Sequence, residues 1–477
     1  MLTPGDVSHV HRYRLLGLAG SAAVAVGGAG VGAVPVADTL DPASGPAALG
    51  LFGAYFGLVL LVAAWLLLGR AVRGPRPPGT RAMLGTLALW AAPLLPVPPL
   101  FSRDVYSYLA QGAMIDAQID VYAHGPAVLG GPLAAQVPAI WQHTPTPYGP
   151  LFLAFTAPAA RLARAEPTGG ILGLRGVALL GVALMVLSLV LLTRGDRRRR
   201  AMALWLGALN PLLLLHLVAG AHNDALMLGL LGIGLVAAQR RAHLLAAVLV
   251  SLAALVKAPA ALGLLAVVVC WAGCLGGRRR WVRAAAATAG TALVTTVAAT
   301  ALLGSGYGWI GALNTPVTHH NWALTSVLGR VTEAALQATG SGLAPLAVPA
   351  WRAAGLAAAV VCVLLLWWRG PRHGPLLALG LSLLAIVALG PAIRPWYALW
   401  GLLPLAAAAP SGPLLRMLVV ASGGLALAEL PSGVAPSGGQ FAVAVCGALA
   451  ALGVLWWAGQ WVAPESRLGA EEARSAP

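Results

Sequence analysis

The chain has 477 residues, 59% of them hydrophobic and only 9% charged, with a formal charge of +16. So few charges cannot cover a water-soluble surface, and a bilayer has to be the solvent for most of the chain. Nucleic acid would need a soluble face carrying the arginines, and no such face can be assembled, so it is excluded as a partner.

Apolar runs at 15–34, 51–69, 82–100, 171–193 and 284–304 each approach the roughly 20 residues of a spanning helix, and similar runs continue towards the C-terminus. No small-residue cleavage site with a polar mature segment follows the first run, so it is expected to stay as a helix. Arginines cluster between the runs: Arg70, Arg73, Arg76 and Arg81; Arg194 with Arg197 to Arg200; Arg240 and Arg241; Arg278 to Arg280 with Arg283; Arg369 and Arg372. These clusters follow the positive-inside pattern and mark the cytoplasmic side. Arg12 and Arg14 at one end, and Arg467 and Arg474 at the other, put both termini there too. The chain therefore reads as an all-α polytopic membrane protein with about 13 to 14 crossings.

Two stretches shape that topology. The apolar residues 149–165 are read as an interfacial helix on the outer leaflet, because a crossing there would move the Arg197 to Arg200 run outside. Residues 244–272 hold two short runs separated by Lys257-Ala258-Pro259, with basic clusters on both sides. Only an even number of crossings satisfies both, so a hairpin of short helices is expected, with Lys257 near the outer surface. The expected divisions are N-terminal membrane helices (1–100), a long first extracytoplasmic loop with interfacial helices (101–170), a central bundle (171–304), a second outer loop (305–350), C-terminal membrane helices (351–460) and a cytoplasmic tail (461–477). Function-bearing polar residues thus gather outside. The inner loops are short and basic and lack a P-loop or glycine-rich nucleotide fingerprint, which argues against ATP-driven chemistry.

Asp104, in Phe101-Ser102-Arg103-Asp104-Val105-Tyr106-Ser107-Tyr108, stands at the end of the third run. A carboxylate at a membrane boundary suits a general base acting on a sugar hydroxyl of a lipid-borne substrate; it also suits an N-cap for the helix that follows. The same loop carries Asp116, Asp120, Tyr122, Trp141 and Thr144-Pro145-Thr146-Pro147-Tyr148-Gly149-Pro150. Its aromatics fit a sugar platform and fit an interfacial belt equally well. Lys257 is the single lysine among 30 basic residues, placed at a helix break. Its point charge suits a phosphate, with snorkelling as the alternative. Arg394, in Ile393-Arg394-Pro395-Trp396-Tyr397, could hold the same phosphate bidentately. His222-Asn223-Asp224 forms a polar turn suited to positioning the donor phosphate or an acceptor sugar. Two ligands are too few for a metal, even with His319 and His320 in view, and no metal or other cofactor is expected. Cys270, Cys274, Cys362 and Cys446 lie in or beside apolar runs and form no disulfide framework.

The strings Phe101 to Ala110 (FSRDVYSYLA), Thr146 to Phe152 (TPYGPLF) and Ala203 to Gly229, with the Arg394 to Tyr397 turn, resemble the polyprenol-phosphomannose-dependent α-(1→6)-mannosyltransferases of mycobacteria and corynebacteria, members of the GT-C superfamily. The resemblance covers most of the chain. It differs at Asp224, where the family pattern has Glu. It implies a GT-C fold in the plasma membrane and an active site facing the extracytoplasmic side. It also implies inverting transfer of mannose from a polyprenyl-phosphate carrier to an α-1,6-mannan glycolipid, as in the lipomannan and lipoarabinomannan backbone. Asp104 would be the base, with Lys257, Arg394 and His222 on the donor phosphate. Tyr106, Tyr108, Tyr148, Asn223, Asp224, His319, His320, Asn321, Trp396 and Tyr397 would contact the sugars. The rivals are a GT-C transferase for another lipid-linked sugar and a flippase, which would bury charges in mid-span.

Overall fold

A computed structural model describes residues 4–163, 166–312, 321–368, 374–434 and 436–462. Helices account for every regular element among them, and no strand occurs. In hydrocarbon that is the expected outcome, because a helix satisfies its own backbone groups without water. Among the described residues, six helices are long and apolar enough to cross a membrane, or seven if the bent pair Arg197–Ala208 and Leu213–Ala219 counts as one span. The long ones include Val10–Val31, Gly45–Arg73, Pro167–Leu192, Arg280–Leu303 and Ala344–Trp368. Six further apolar helices have 10–17 residues. The expected crossing number is met only if each of these shorter helices also crosses. The chain is an all-α polytopic membrane protein.

One sequence expectation changes in detail. The run 82–100 is not one spanning helix: the α-helix Thr80–Ala91 gives way to a single 3₁₀ turn, Ala92–Leu94. Pro93, Pro96, Pro98 and Pro99 remove the N–H donors needed to continue it. The run through Asn210-Pro211 bends by 60° there and is wound as π-helix on both sides. Within the stretch expected to be an interfacial helix, Pro150–Leu162 are helical and pack beside the helices Asp104–Asp116 and Pro167–Leu192. The two short helices His243–Ala254 and Gly263–Cys274 do flank a break at Lys257. Arg369, Arg372, Arg467 and Arg474 lie outside the described residues.

The first two helices cross at glycines. A Cβ on Gly20 would lie 2.6 Å from the Leu61 backbone nitrogen, so this approach needs a bare backbone. Trp65 and Trp205 staple the second helix to the bent span: each indole N–H donates to the other's carbonyl, at 3.0 and 2.8 Å, with ring centroids 5.2 Å apart. Arg175 is a buried cation inside the span Pro167–Leu192, which the sequence reading passed over. It donates to the carbonyls of Leu95 and Ala219. The helical partner of the Leu95 carbonyl would be residue 99, a proline, so the guanidinium replaces a missing N–H at a helix end.

Two of the arginine clusters meet at one end of the bundle: Arg197 and Arg198 donate to the carbonyls of Pro77 and Arg73. The chain then runs from Arg197 to His222, and from Asp224 to Arg240. His222-Asn223-Asp224 therefore lies at the opposite end from the arginines.

Candidate active site

Phe101 and Ala221 adopt left-handed backbone, with φ of 64° and 52°. Each costs a non-glycine residue of the order of 1–3 kcal/mol; Phe101 opens the FSRDVYSYLA string and Ala221 directly precedes His222-Asn223-Asp224. After Phe101 the chain turns into the helix Asp104–Asp116. Asp104 is its first residue, not its N-cap; that position belongs to Arg103, and the Ser102 hydroxyl accepts the Asp104 backbone N–H at 3.1 Å. The carboxylate is thus spared capping and keeps 21% of its side chain exposed, on the wall of a cavity of about 380 Å³.

Residues far apart in sequence share that wall: Asp104, Tyr148, Lys257, Asn321, Arg394, Trp396 and Tyr397. Gly149 lets the loop seat against the Lys257 break. A Cβ there would sit 2.3 Å from the Leu255 carbonyl, and the neighbouring Leu151 N–H donates to that carbonyl at 3.1 Å. Lys257 does not run outwards alone. Its ammonium donates to both carboxylate oxygens of Asp224, at 3.0 and 2.9 Å, with the Asp224 side chain fully buried. Trp400 donates its indole N–H to the same carboxylate at 2.6 Å. The ammonium also lies 4.8, 5.4 and 5.9 Å from the ring centres of Tyr397, Trp400 and Tyr148, an aromatic collar that stabilises a cation.

Arg394 faces Glu429 at 3.8 Å and covers the Trp396 ring at 6.0 Å. Burial pushes the Glu429 carboxyl up to about 7, with Asp104 adding to the rise and Arg394 opposing it. Asp104 is raised as well, by burial first; Arg394, Lys257 and the Ser102 hydrogen bond pull it back, and Asp224 pushes it up. Burial, then Lys257 and Arg394, hold the His222 imidazole well below its usual range, so it is neutral.

Five expected contact residues lie off the wall. Tyr106 is fully buried with its hydroxyl on the Ala33 carbonyl at 2.7 Å, turned into the core. His222 is fully buried, so it does not reach a phosphate; its Nδ1 stands 3.7 Å from the Asp104 carboxylate and 3.4 Å from the Tyr108 hydroxyl. Tyr108, Asn223 and Asp224 are buried with it, behind the wall. For the three turn residues the reason is that the Ala221 turn folds inwards against Trp396, whose ring centre is 4.0 Å from that of His222. The turn thus supports Asp104 and Lys257 from the back. His319 and His320 lie outside the described residues. Among the described residues no group of three or more potential metal ligands occurs.

Ser107, Gln111 and Trp400 line the cavity and Glu429 adjoins it, yet none was singled out from sequence. Ser107 and Gln111 follow Asp104 by three and seven residues, which on a helix is the same face, so periodicity could have found them. Glu429, in Ala428-Glu429-Leu430, gives no local signal.

The cavity therefore joins a partly exposed carboxylate of raised pKa to two cations and an aromatic lining. That set can take a proton from a hydroxyl and stabilise a departing anion. Residues 14–273 match the family described as "Alpha-(1->6)-mannopyranosyltransferase, N-terminal domain", and residues 325–458 match "MptB C-terminal domain". The chain is 34% identical to a probable alpha-(1->6)-mannopyranosyltransferase of Mycolicibacterium smegmatis, covering 85% of this chain and 80% of that one. It is 32% identical to alpha-(1->6)-mannopyranosyltransferase B of Corynebacterium glutamicum, covering 96% and 83%. It is 35% identical to alpha-(1->6)-mannopyranosyltransferase A of Mycobacterium tuberculosis, covering 86% and 82%. No solved structure matches. On these matches, and with its cavity built from the strings that first suggested the resemblance, the chain belongs to the alpha-(1->6)-mannopyranosyltransferase family.

Proposed function

We propose that this protein transfers mannose from a polyprenyl-phosphate carrier to an α-1,6-mannan glycolipid on the extracytoplasmic side of the plasma membrane, by a single displacement with inversion. The observation that carries the reading is a single cavity lined by Asp104, Lys257 and Arg394 together. Asp104 is the base that takes the proton from the acceptor hydroxyl as its oxygen attacks the anomeric carbon. Lys257 and Arg394 stabilise the negative charge on the phosphate as it leaves with its lipid, so no metal is required. His222, in van der Waals reach of Asp104 and neutral, orients the carboxylate and does not touch the phosphate. The rings of Tyr148, Trp396 and Tyr397 offer faces for the sugars, and Asn321 lines the same cavity. The arginine clusters at the far end of the bundle support the assignment of sides.

The test is transfer of labelled mannose from a synthetic polyprenyl-phosphomannose to a short α-1,6-mannoside by purified protein in detergent, with the product's linkage read by NMR. An α-1,6-linked product is expected. Transfer from a polyprenyl-phosphate carrier of arabinofuranose or glucose alone, or from no carrier by protein shown to be folded, overturns the reading.

The acid limb of the pH–rate profile tests Asp104 and Arg394 together. The base has to be ionised, so transfer falls as pH drops through its raised pKa, above the ordinary carboxylate range near 4. Arg394 is the largest influence holding that pKa down. Arg394→Gln is therefore expected to move the acid limb to higher pH, besides lowering the plateau rate by roughly 10²-fold or more. An acid limb that stays in place would separate Arg394 from the base.

A further inference from the structure

We propose that Ser107 and Gln111 form a subsite for the hydroxyl groups of the acceptor sugar, running from Asp104 along one face of its helix; the assignment to the acceptor rests on the transfer reading above. Ser107 is 4% exposed and Gln111 5%, and both line the cavity. The Ser107 Oγ and Gln111 Oε1 are buried and find no partner within the protein. Native structures leave few buried polar atoms unpaired, because each costs its desolvation without return. Elsewhere on the same wall Lys257 has Asp224, and the Asn321 Oδ1 accepts from the Ala323 and Ile393 backbone N–H groups, while the Trp396 indole N–H is also buried without a partner. Ser107 and Gln111, at positions three and seven from the base, put two of the unpaired groups on one helix face of the cavity, and a ligand is what would complete them.

Their chemistry indicates which ligand. A hydroxyl donates and accepts, and a carboxamide offers an acceptor oxygen beside donor N–H groups, with no charge on either. That suits vicinal sugar hydroxyls, which themselves donate and accept; a phosphate wants donors or cations. Geometry points to the acceptor. In a displacement with inversion the nucleophile and the leaving phosphate lie on opposite sides of the anomeric carbon. Lys257 and Arg394 claim the phosphate side. The stripe starts at the base and extends about 10 Å along the helix, away from the reacting hydroxyl and along the acceptor.

The experiment measures binding of a short α-1,6-linked mannose oligosaccharide without donor, through the fluorescence of Trp141, Trp396 and Trp400, which line the cavity. Wild type is compared with Ser107→Ala and Gln111→Leu. Each variant should weaken saccharide binding about tenfold, as loss of one hydrogen bond does, and should raise the acceptor KM in the transfer assay while leaving polyprenyl-phosphate affinity within twofold. Thermal unfolding without saccharide should be unchanged or raised, since an unpaired buried group has been removed. Unchanged saccharide binding in both variants, a change confined to donor affinity, a clear loss of thermal stability, or no saccharide binding by wild type overturns the subsite. Binding by wild type that both variants weaken, without transfer from any polyprenyl-phosphomannose, supports the subsite and overturns the transfer reading instead.

Discussion

Asp104→Asn is expected to lower mannosyl transfer by about 10²–10⁴-fold while the protein still folds and binds its polyprenyl-phosphate donor. The amide has nearly the same shape, so the cavity wall is kept, and the helix does not depend on this side chain for its cap. Proton uptake is what the substitution removes. His222 cannot replace it: its imidazole is fully buried behind the wall and its Nδ1 is 3.7 Å from the Asp104 carboxylate. Asp224 cannot either, because both of its oxygens are engaged by Lys257 and one also by Trp400. Glu429 is the remaining acid, but Arg394 stands against it. The check is single-turnover transfer at saturating donor, with donor binding measured separately. Turnover within tenfold of wild type would remove Asp104 from the role of base.

Lys257→Met should affect two quantities at once, donor affinity and the stability of the fold. The sequence suggested a cation free for a phosphate, and on that basis only donor binding would suffer. The structure instead pairs the ammonium, 13% exposed, with a fully buried carboxylate. Removing one member of a buried pair strands the other, at a cost of about 3–5 kcal/mol. Lys257→Met is therefore expected to destabilise the protein by that order. Lys257→Met with Asp224→Asn should regain much of the loss, because the stranded charge is gone and Trp400 keeps an acceptor. Unfolding in detergent across this double-mutant cycle measures the coupling. A single variant within about 0.5 kcal/mol of wild type would show that the pair contributes little, and would return Lys257 to a purely substrate-facing role.

The placement of Asp224 at this pair also accounts for its buried position. In the His222-Asn223-Asp224 turn the three polar groups look alike from sequence, as candidates for substrate. In the structure each meets protein: His222 stacks on Trp396, Asn223 accepts from Tyr108 at 3.5 Å, and Asp224 holds Lys257. The Asp224 carboxylate is fully satisfied by protein, as a buried charge has to be where water is scarce, whereas the His222 Nε2 and Asn223 Nδ2 are buried without a partner.

Much of this protein could be read from its residues. Composition fixed the solvent as a bilayer, the arginine clusters marked one end of the bundle, and two short apolar runs around Lys257 marked the break between the helices His243–Ala254 and Gly263–Cys274. The strings around Asp104, Tyr148, His222 and Arg394 carried the family. Helical periodicity even contained information left unused: Tyr106 is about 200° round the helix from Asp104, while Ser107 and Gln111 return to its face. Tertiary structure decided which polar groups face the cavity and which face each other. Lys257 and Asp224 are 33 residues apart, Trp400 and Asp224 are 176, and Glu429 meets Arg394 from beyond two further helices. Such pairings depend on how helices pack, and a local run of residues records its own helix's faces but not the neighbour each face will meet.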